Sequence, residues 1–220
     1  MDTFNSSDLI YLVSQPRAGS TLLQRILAGQ AEIYTTAEPW IMLPLIYALR
    51  SEGHEADYNA QLAHEALQDF YAALPHGQED YEAAIRLMAL HLYGTALEPS
   101  GKSLFLDKTP RYYLILPELA RIMPKARFLL LLRNPLAVLN SLLNASVKDR
   151  WMLLAHLQND LLLAPRLLVE AMATLQHRAI IVHYESLVTQ PAEEVAAICE
   201  GLGLEFQPDM LAYGDKQIPP

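Results

Sequence analysis

The stretch Ser14-Gln15-Pro16-Arg17-Ala18-Gly19-Ser20-Thr21 puts a guanidinium, a glycine and two hydroxyls in adjacent positions. Directly after it, Leu22, Leu23, Ile26 and Leu27 recur at helical spacing before Gly29, so the hydroxyls fall where a helix begins. Amide N–H groups in a first helical turn lack an intrahelical acceptor and lie at the positive end of the helix dipole, which suits a phosphate. Aligned on Gly19 with the ATP-binding pattern GxxxxGK[ST], the segment has Ser14 for the first glycine and Ser20 for the lysine. The lysine that bridges phosphates in that pattern is therefore missing. In a second cluster, Arg133 follows the apolar run Phe128 to Leu132, and Ser141 comes about two turns into a helix that Asn134 caps and Pro135 opens. One cation and one hydroxyl converge there on a second anion, unless Arg133 pairs instead with an acidic neighbour. Two anion sites at the carboxyl ends of strands in one sheet fit a ligand with two separated phosphate groups.

Four short apolar runs must supply those strands: Leu9 to Val13, Ser103 to Leu106, Arg127 to Leu132 and Ile180 to His183. None alternates like a half-exposed strand and most are flanked by helix signals, which predicts an α/β fold with a parallel sheet covered by helices on both faces. Pro191, Glu193 and Glu194 open a further helix with Val195, Ile198, Cys199 and Leu202 on one apolar face. Residues from about 39 to 100 form a helical insert between the first two strands, with Ile85, Met88 and Leu92 at helical spacing; it serves either as a lid or acceptor lobe or simply as packed helices. A second helical stretch, about 151 to 176, is interrupted by Pro165, and its leucines read as core.

With 16 basic and 25 acidic residues the net charge is −9, which argues against a nucleic-acid partner and leaves any anionic ligand to a few local cations. A chain of 220 residues, 52% hydrophobic and 19% charged, is expected to be a single domain with a sizeable core rather than a disordered segment. The single cysteine excludes an internal disulfide and a thiolate zinc cluster, and favours a reducing compartment. The seven histidines are scattered, with no pair at the i, i+4 spacing of a helical metal site, and read as structural or surface residues. No basic segment and no apolar run of signal or membrane-spanning length opens the sequence, so a cytoplasmic location without a membrane span is expected.

Gln15 through Leu23 resembles the 5′-phosphosulfate loop of sulfotransferases that use 3′-phosphoadenosine 5′-phosphosulfate (PAPS), and Arg133-Asn134-Pro135 through Ser141 resembles their 3′-phosphate motif. Val182-His183-Tyr184-Glu185-Ser186-Leu187-Val188, followed by Pro191 and Leu202-Gly203-Leu204, is similar to the family's Tyr-Glu-x-Leu strand and the helix after it. Together these segments run from Leu9 to about Met210. The resemblance implies a sheet of the P-loop nucleotide-kinase type, with Arg17, Ala18, Gly19, Ser20 and Thr21 on the 5′-phosphosulfate, Arg133 and Ser141 on the 3′-phosphate, and Tyr184 near the adenine. Glu38 lies twenty-one positions after Arg17, and Leu106-Asp107-Lys108-Thr109-Pro110 is similar to the Asp/Asn-Lys-x-Pro strand end of the bacterial and protein-tyrosine subgroup. That mapping makes Glu38 the general base, with Lys108 and Arg17 stabilising the transferred group; Asp107 stands as an alternative base or as a residue that orients Lys108.

Transfer would go in line to a hydroxyl or an amine of a small or carrier-tethered acceptor, and no metal is expected because a sulfuryl group carries less charge than a terminal phosphoryl. A small-metabolite kinase on the same sheet and a non-catalytic nucleotide-binding relative remain the alternatives. The family usually continues beyond its last helix into a segment that closes over the cofactor, so this chain is expected to be a trimmed or naturally short form, with Lys216 a weak candidate for that closing role. Acceptor identity and oligomeric state are open at this point.

Overall fold

The computed structural model describes residues 4–214 apart from residue 48 and the stretches 51–59, 148–150, 152–154 and 156; Lys216 lies outside the described residues. Within them, strands β1 (Leu9–Ser14), β2 (Ile33–Thr35), β3 (Leu104–Asp107), β4 (Arg127–Leu132) and β5 (Ala179–His183) form one parallel sheet in the order β2-β3-β1-β4-β5. Helices α1 (Ser20–Leu27), α2 (Met42–Tyr47), α3 (Ala60–Tyr71), α4 (Gln78–Leu97), α5 (Leu116–Ile122), α6 (Pro135–Leu142), α7 (Ala164–Leu175), α8 (Tyr184–Thr189) and α9 (Pro191–Leu202) connect and cover it.

The central strand β1 is buried at every position, and its side chains divide between two cores as the pleat requires. Ile10 and Leu12, with Leu129, Leu131 and Val182, pack on Leu23, Ile26 and Leu27 of α1 and on Val195, Ile198, Cys199 and Leu202 of α9. Leu9, Tyr11 and Val13, with Phe128 and Leu130, pack on α4, α5 and α7 from the opposite face. This is the expected three-layer α/β arrangement. Each aliphatic side chain fully buried this way contributes about 1.5–3 kcal/mol. The α9 face is the one predicted from its spacing, and Cys199 is buried with its Sγ 3.9 Å from Met210 Sδ.

Three local readings need correction. β2 was not anticipated: with three residues between the end of α1 and Glu38, it offers no apolar run, and its register on β3, Ile33 opposite Leu104, is what defines it. In α4 the buried apolar positions are Ile85, Ala89, Tyr93 and Leu97, whereas Met88 and Leu92 are exposed; the sheet-facing stripe runs along i, i+4 through a small alanine that permits close approach. Pro165 does not stop the helical stretch: a π-helical turn, Asn159–Leu163, passes directly into α7, and Pro165 sits in the first turn after that change of hydrogen-bond pattern.

Candidate active site

The carboxyl ends of β1, β3 and β4 open onto a cleft of about 380 Å³ lined by Pro16, Arg17, Gly19, Ser20, Thr21, Glu38, Trp40, Pro110, Arg111, Arg133 and Ser141. Its first wall is the turn between β1 and α1. Ala18 N–H closes the turn onto Gln15 C=O at 3.1 Å, Arg17 and Gly19 adopt positive φ of 70° and 105°, and the first intrahelical bonds are made by Leu22 and Leu23 N–H to Gly19 C=O. The amides of Ser20 and Thr21 therefore precede the helical ladder and belong to the donor-rich end of α1. Ala18 is fully buried and lies behind this wall instead of on it.

Arg133 sits just beyond β4. Its Nη1 donates to Arg17 C=O at 2.9 Å, its guanidinium stacks 4.1 Å from the Tyr184 ring centroid, and its Nε is buried with no hydrogen-bond partner among the described residues. Arg17 Nε in turn reaches Ser141 Oγ at 3.3 Å. The two anion-binding motifs, more than a hundred residues apart in sequence, are thus contiguous and interlocked in one cleft. Asn134 caps α6 through its side chain, as expected, and its N–H donates to Glu185 Oε1 at 2.9 Å; this contact holds the Glu185 carboxyl below the usual carboxylate range and ties the end of β4 to the end of β5.

Tyr184, the first residue of α8, is half-buried, its ring between the Arg133 guanidinium and Gly19, both of which line the cleft. A Cβ added to Gly19 would lie 2.3 Å from Tyr184 Cδ2. Gly19→Ala is therefore expected to push the ring off Arg133 and to strain the left-handed backbone, lowering stability by about 1–3 kcal/mol, a loss that urea denaturation would read directly.

The second wall carries the acid–base groups. Gln24 of α1 donates to Thr35 Oγ1 at 2.8 Å and to Thr36 C=O at 2.6 Å, fixing the chain where β2 ends and the Glu38 segment starts. Glu38 Oε1 accepts from Lys108 Nζ at 2.6 Å and Oε2 from Trp40 Nε1 at 3.1 Å. The lysine side chain is 7% exposed and the glutamate 34%, so the cation stands behind the carboxylate and the carboxylate faces the cleft. Asp107, by contrast, is wholly buried. It accepts from Tyr93 Oη at 2.6 Å, Thr109 Oγ1 at 2.8 Å and Tyr112 Oη at 3.1 Å. Its two oxygens are committed on the α4 side of the sheet, which removes the geometric basis for Asp107 as a base; what it can orient is the strand end that presents Lys108.

Burial pushes the Asp107 carboxyl up to about 6 against the opposing pull of its hydrogen bonds to Tyr93, Thr109 and Tyr112. A folded-state value above the unfolded one means the fold binds this proton more tightly, so the stabilisation is complete below about pH 4 and lost as pH rises through about 6. The whole effect is on the order of 3 kcal/mol, of which about 1 kcal/mol falls between pH 5 and pH 7. Urea titrations should show the parent losing that much more stability than Asp107→Asn across this interval; parallel pH profiles would contradict it.

Arg111 is the lining cation that sequence reasoning missed. It follows Pro110, forms a forked pair with the buried Asp160 (Nη2 to Oδ2 2.7 Å, Nε to Oδ1 3.2 Å), and sits 5.8 Å from the Trp40 ring centroid. Its place three residues after Lys108, past the same strand end, was the available signal. Arg17, Arg111 and Arg133 face the cleft against one lining carboxylate, a local excess of positive charge on a chain of net charge −9.

A P-loop-like α/β sheet with this cleft at its carboxyl edge is the architecture of sulfotransferases, and the family model described as the sulfotransferase family matches residues 9–208. The chain belongs to the sulfotransferase family. It is 31% identical over 223 residues to the nodulation protein NoeE of Sinorhizobium fredii (strain NBRC 101917 / NGR234), covering 90% of this chain and 50% of that protein, so it spans half the length of this curated relative. Its fold is shared with the sulfotransferase domain of the Synechococcus PCC 7002 olefin synthase (TM-score 0.62, 23% identity, 99% of this chain and 80% of that one). The mouse sulfotransferase SULT7A1, solved in complex with PAP, shares it at TM-score 0.54 and 15% identity over 96% of this chain and 69% of that one. Among the described residues no helix is long and apolar enough to cross a membrane.

Proposed function

We propose that this chain transfers the sulfuryl group of PAPS to an acceptor hydroxyl, with Glu38 as general base. The observation that carries this reading is that Arg17, the α1 amides, Arg133 and Ser141 line the same cleft as Glu38, whose carboxylate is backed by Lys108. The donor set suits a nucleotide with phosphates at both ends: one cluster is the start of a helix and the other is an arginine whose Nε has no acceptor among the described residues. That a mouse protein of the same fold was solved with PAP agrees with this choice. PAPS supplies an activated sulfuryl group, and its departure leaves a bisphosphate.

The chain's own groups then have separable tasks. Ser20, Thr21 and Arg17 bind the 5′ end through N–H, hydroxyl and guanidinium donors; Arg133 and Ser141 bind the 3′-phosphate. Glu38 takes the proton from the acceptor hydroxyl, which requires the hydroxyl within hydrogen-bond reach of one carboxylate oxygen. Lys108 fixes the other side of that carboxylate from behind, and Arg17, which lines the cleft, adds positive charge where negative charge develops. Trp40 and Arg111 line the cleft beside Glu38, and the acceptor is assigned to that side. The acceptor class this supports is a small or carrier-tethered hydroxyl compound.

Calorimetric titration with adenosine 3′,5′-bisphosphate and with adenosine 5′-phosphate, followed by labelled-sulfate transfer from PAPS across a panel of hydroxyl acceptors, tests the reading. Tighter binding of the bisphosphate together with transfer is the expected result. Equal affinity for the two nucleotides would remove the 3′-phosphate site, and magnesium-dependent ATP consumption would favour the kinase alternative.

A further inference from the structure

Trp40 lies between the base and the first residue of α2 with φ of 56°, a left-handed conformation that a bulky side chain adopts only under constraint. Both sides of it are tied to one strand end. On its N-terminal side Lys108 holds Glu38; on its C-terminal side Met42 N–H, the first amide of α2, donates to Tyr112 Oη at 3.1 Å. That hydroxyl donates its own proton to Asp107 Oδ2 at 3.1 Å. Asp107 and Lys108 are adjacent at the end of β3, so the two anchors share a rigid origin.

We infer that Tyr112 is a positioning residue for Glu38: by bridging Asp107 and the Met42 amide, its hydroxyl keeps Trp40 in the left-handed conformation and so keeps the Glu38 carboxylate facing the cleft. The inference rests on the reading of Glu38 as base. Tyr112 is fully buried and does not line the cleft, so it acts through the backbone of residues 38–42 and touches no reactant. Without its hydroxyl, the Met42 amide loses its acceptor and Trp40 is free to relax toward negative φ, swinging the indole that donates to Glu38 Oε2.

Tyr112→Phe keeps the ring and removes only the bridge. The chain has two tryptophans, and Trp151→Phe leaves Trp40 as the only indole, excited selectively at wavelengths the tyrosines do not absorb. In that background Tyr112→Phe is expected to raise acrylamide quenching of Trp40 in the ligand-free protein, and to lower kcat on the order of tenfold with the Kd for adenosine 3′,5′-bisphosphate unchanged. In a Trp40→Gly background, where glycine takes positive φ without strain, the same substitution is expected to cost clearly less in kcat. Unchanged quenching, an equal cost in both backgrounds, or loss of bisphosphate affinity in step with kcat would each overturn the inference. Quenching reports on the tie without catalysis, so it stays informative if Glu38→Gln proves active and the base assignment itself fails.

Discussion

Glu38→Gln is expected to lower sulfuryl transfer by about 10²–10⁴-fold, the usual contribution of a positioned general base, while affinity for adenosine 3′,5′-bisphosphate stays near the parent's. The substitution is close to isosteric and leaves the amide oxygen available to Lys108 Nζ, 2.6 Å away in the parent, while its NH2 replaces the Oε2 that accepts from Trp40 Nε1, so the lysine tie is kept and the indole contact is lost. What disappears is the ability to accept the acceptor's proton. The carboxylate adjacent in sequence to Lys108, Asp107, is fully buried and already accepts from three hydroxyls, so it offers no substitute. Single-turnover measurements with labelled PAPS, beside calorimetric titration of the bisphosphate, separate the two quantities. Turnover close to the parent's would remove Glu38 from the base role. A joint loss of turnover and nucleotide affinity would instead mark it as a structural partner of Lys108.

Arg133→Ala should weaken bisphosphate binding by about 2–5 kcal/mol, roughly 30-fold to several-thousand-fold, and leave affinity for adenosine 5′-phosphate much less affected. Three features of the side chain support so large an effect. It stacks on Tyr184 at 4.1 Å, it braces the turn through Arg17 C=O at 2.9 Å, and its Nε is buried without an acceptor among the described residues. Removing it takes away a charge-assisted contact specific to the 3′ end, and the loss of its bond to Arg17 C=O loosens the turn as well, a smaller cost that falls on both nucleotides. Arg133→Lys is expected to recover little, because an ammonium neither stacks on the ring as a plane nor reaches two acceptors in a fork. An equal drop for the two nucleotides would mean that Arg133 supports the turn as a whole, with no specific contact to the 3′ end.

Much of the frame was legible because the strands are buried on both faces and so appear as uninterrupted apolar runs: β1 and β4 fall where Leu9 to Val13 and Arg127 to Leu132 placed them. Helix starts at Pro135 and Pro191 were equally readable, since proline in a first turn is a strong local signal. What escaped was non-local. β2 exists because three residues pair with β3. The buried stripe of α4 passes through Ala89, which only packing against the sheet makes a core residue. At the site, Arg17, Arg133 and Ser141 could be named from motif and spacing, but not that they interlock. Arg111 could not be weighed before its pairing with Asp160, forty-nine residues away, was visible. The left-handed Trp40 has no sequence signature at all.

The strand order has a consequence for how the chain is made. β1 is the middle of the sheet, yet its partners, Phe105 opposite Leu9 and Arg127 opposite Ile10, come about a hundred residues later. At a ribosomal pace of about 5–20 residues per second, the apolar run from Leu9 to Val13 waits on the order of 5–20 s before either neighbour has been synthesised. Loop closures of that length also slow the search once the neighbours exist. The nascent polypeptide thus carries a wholly apolar strand without its pairing partners through that interval, a co-translational exposure that the parallel strand order imposes.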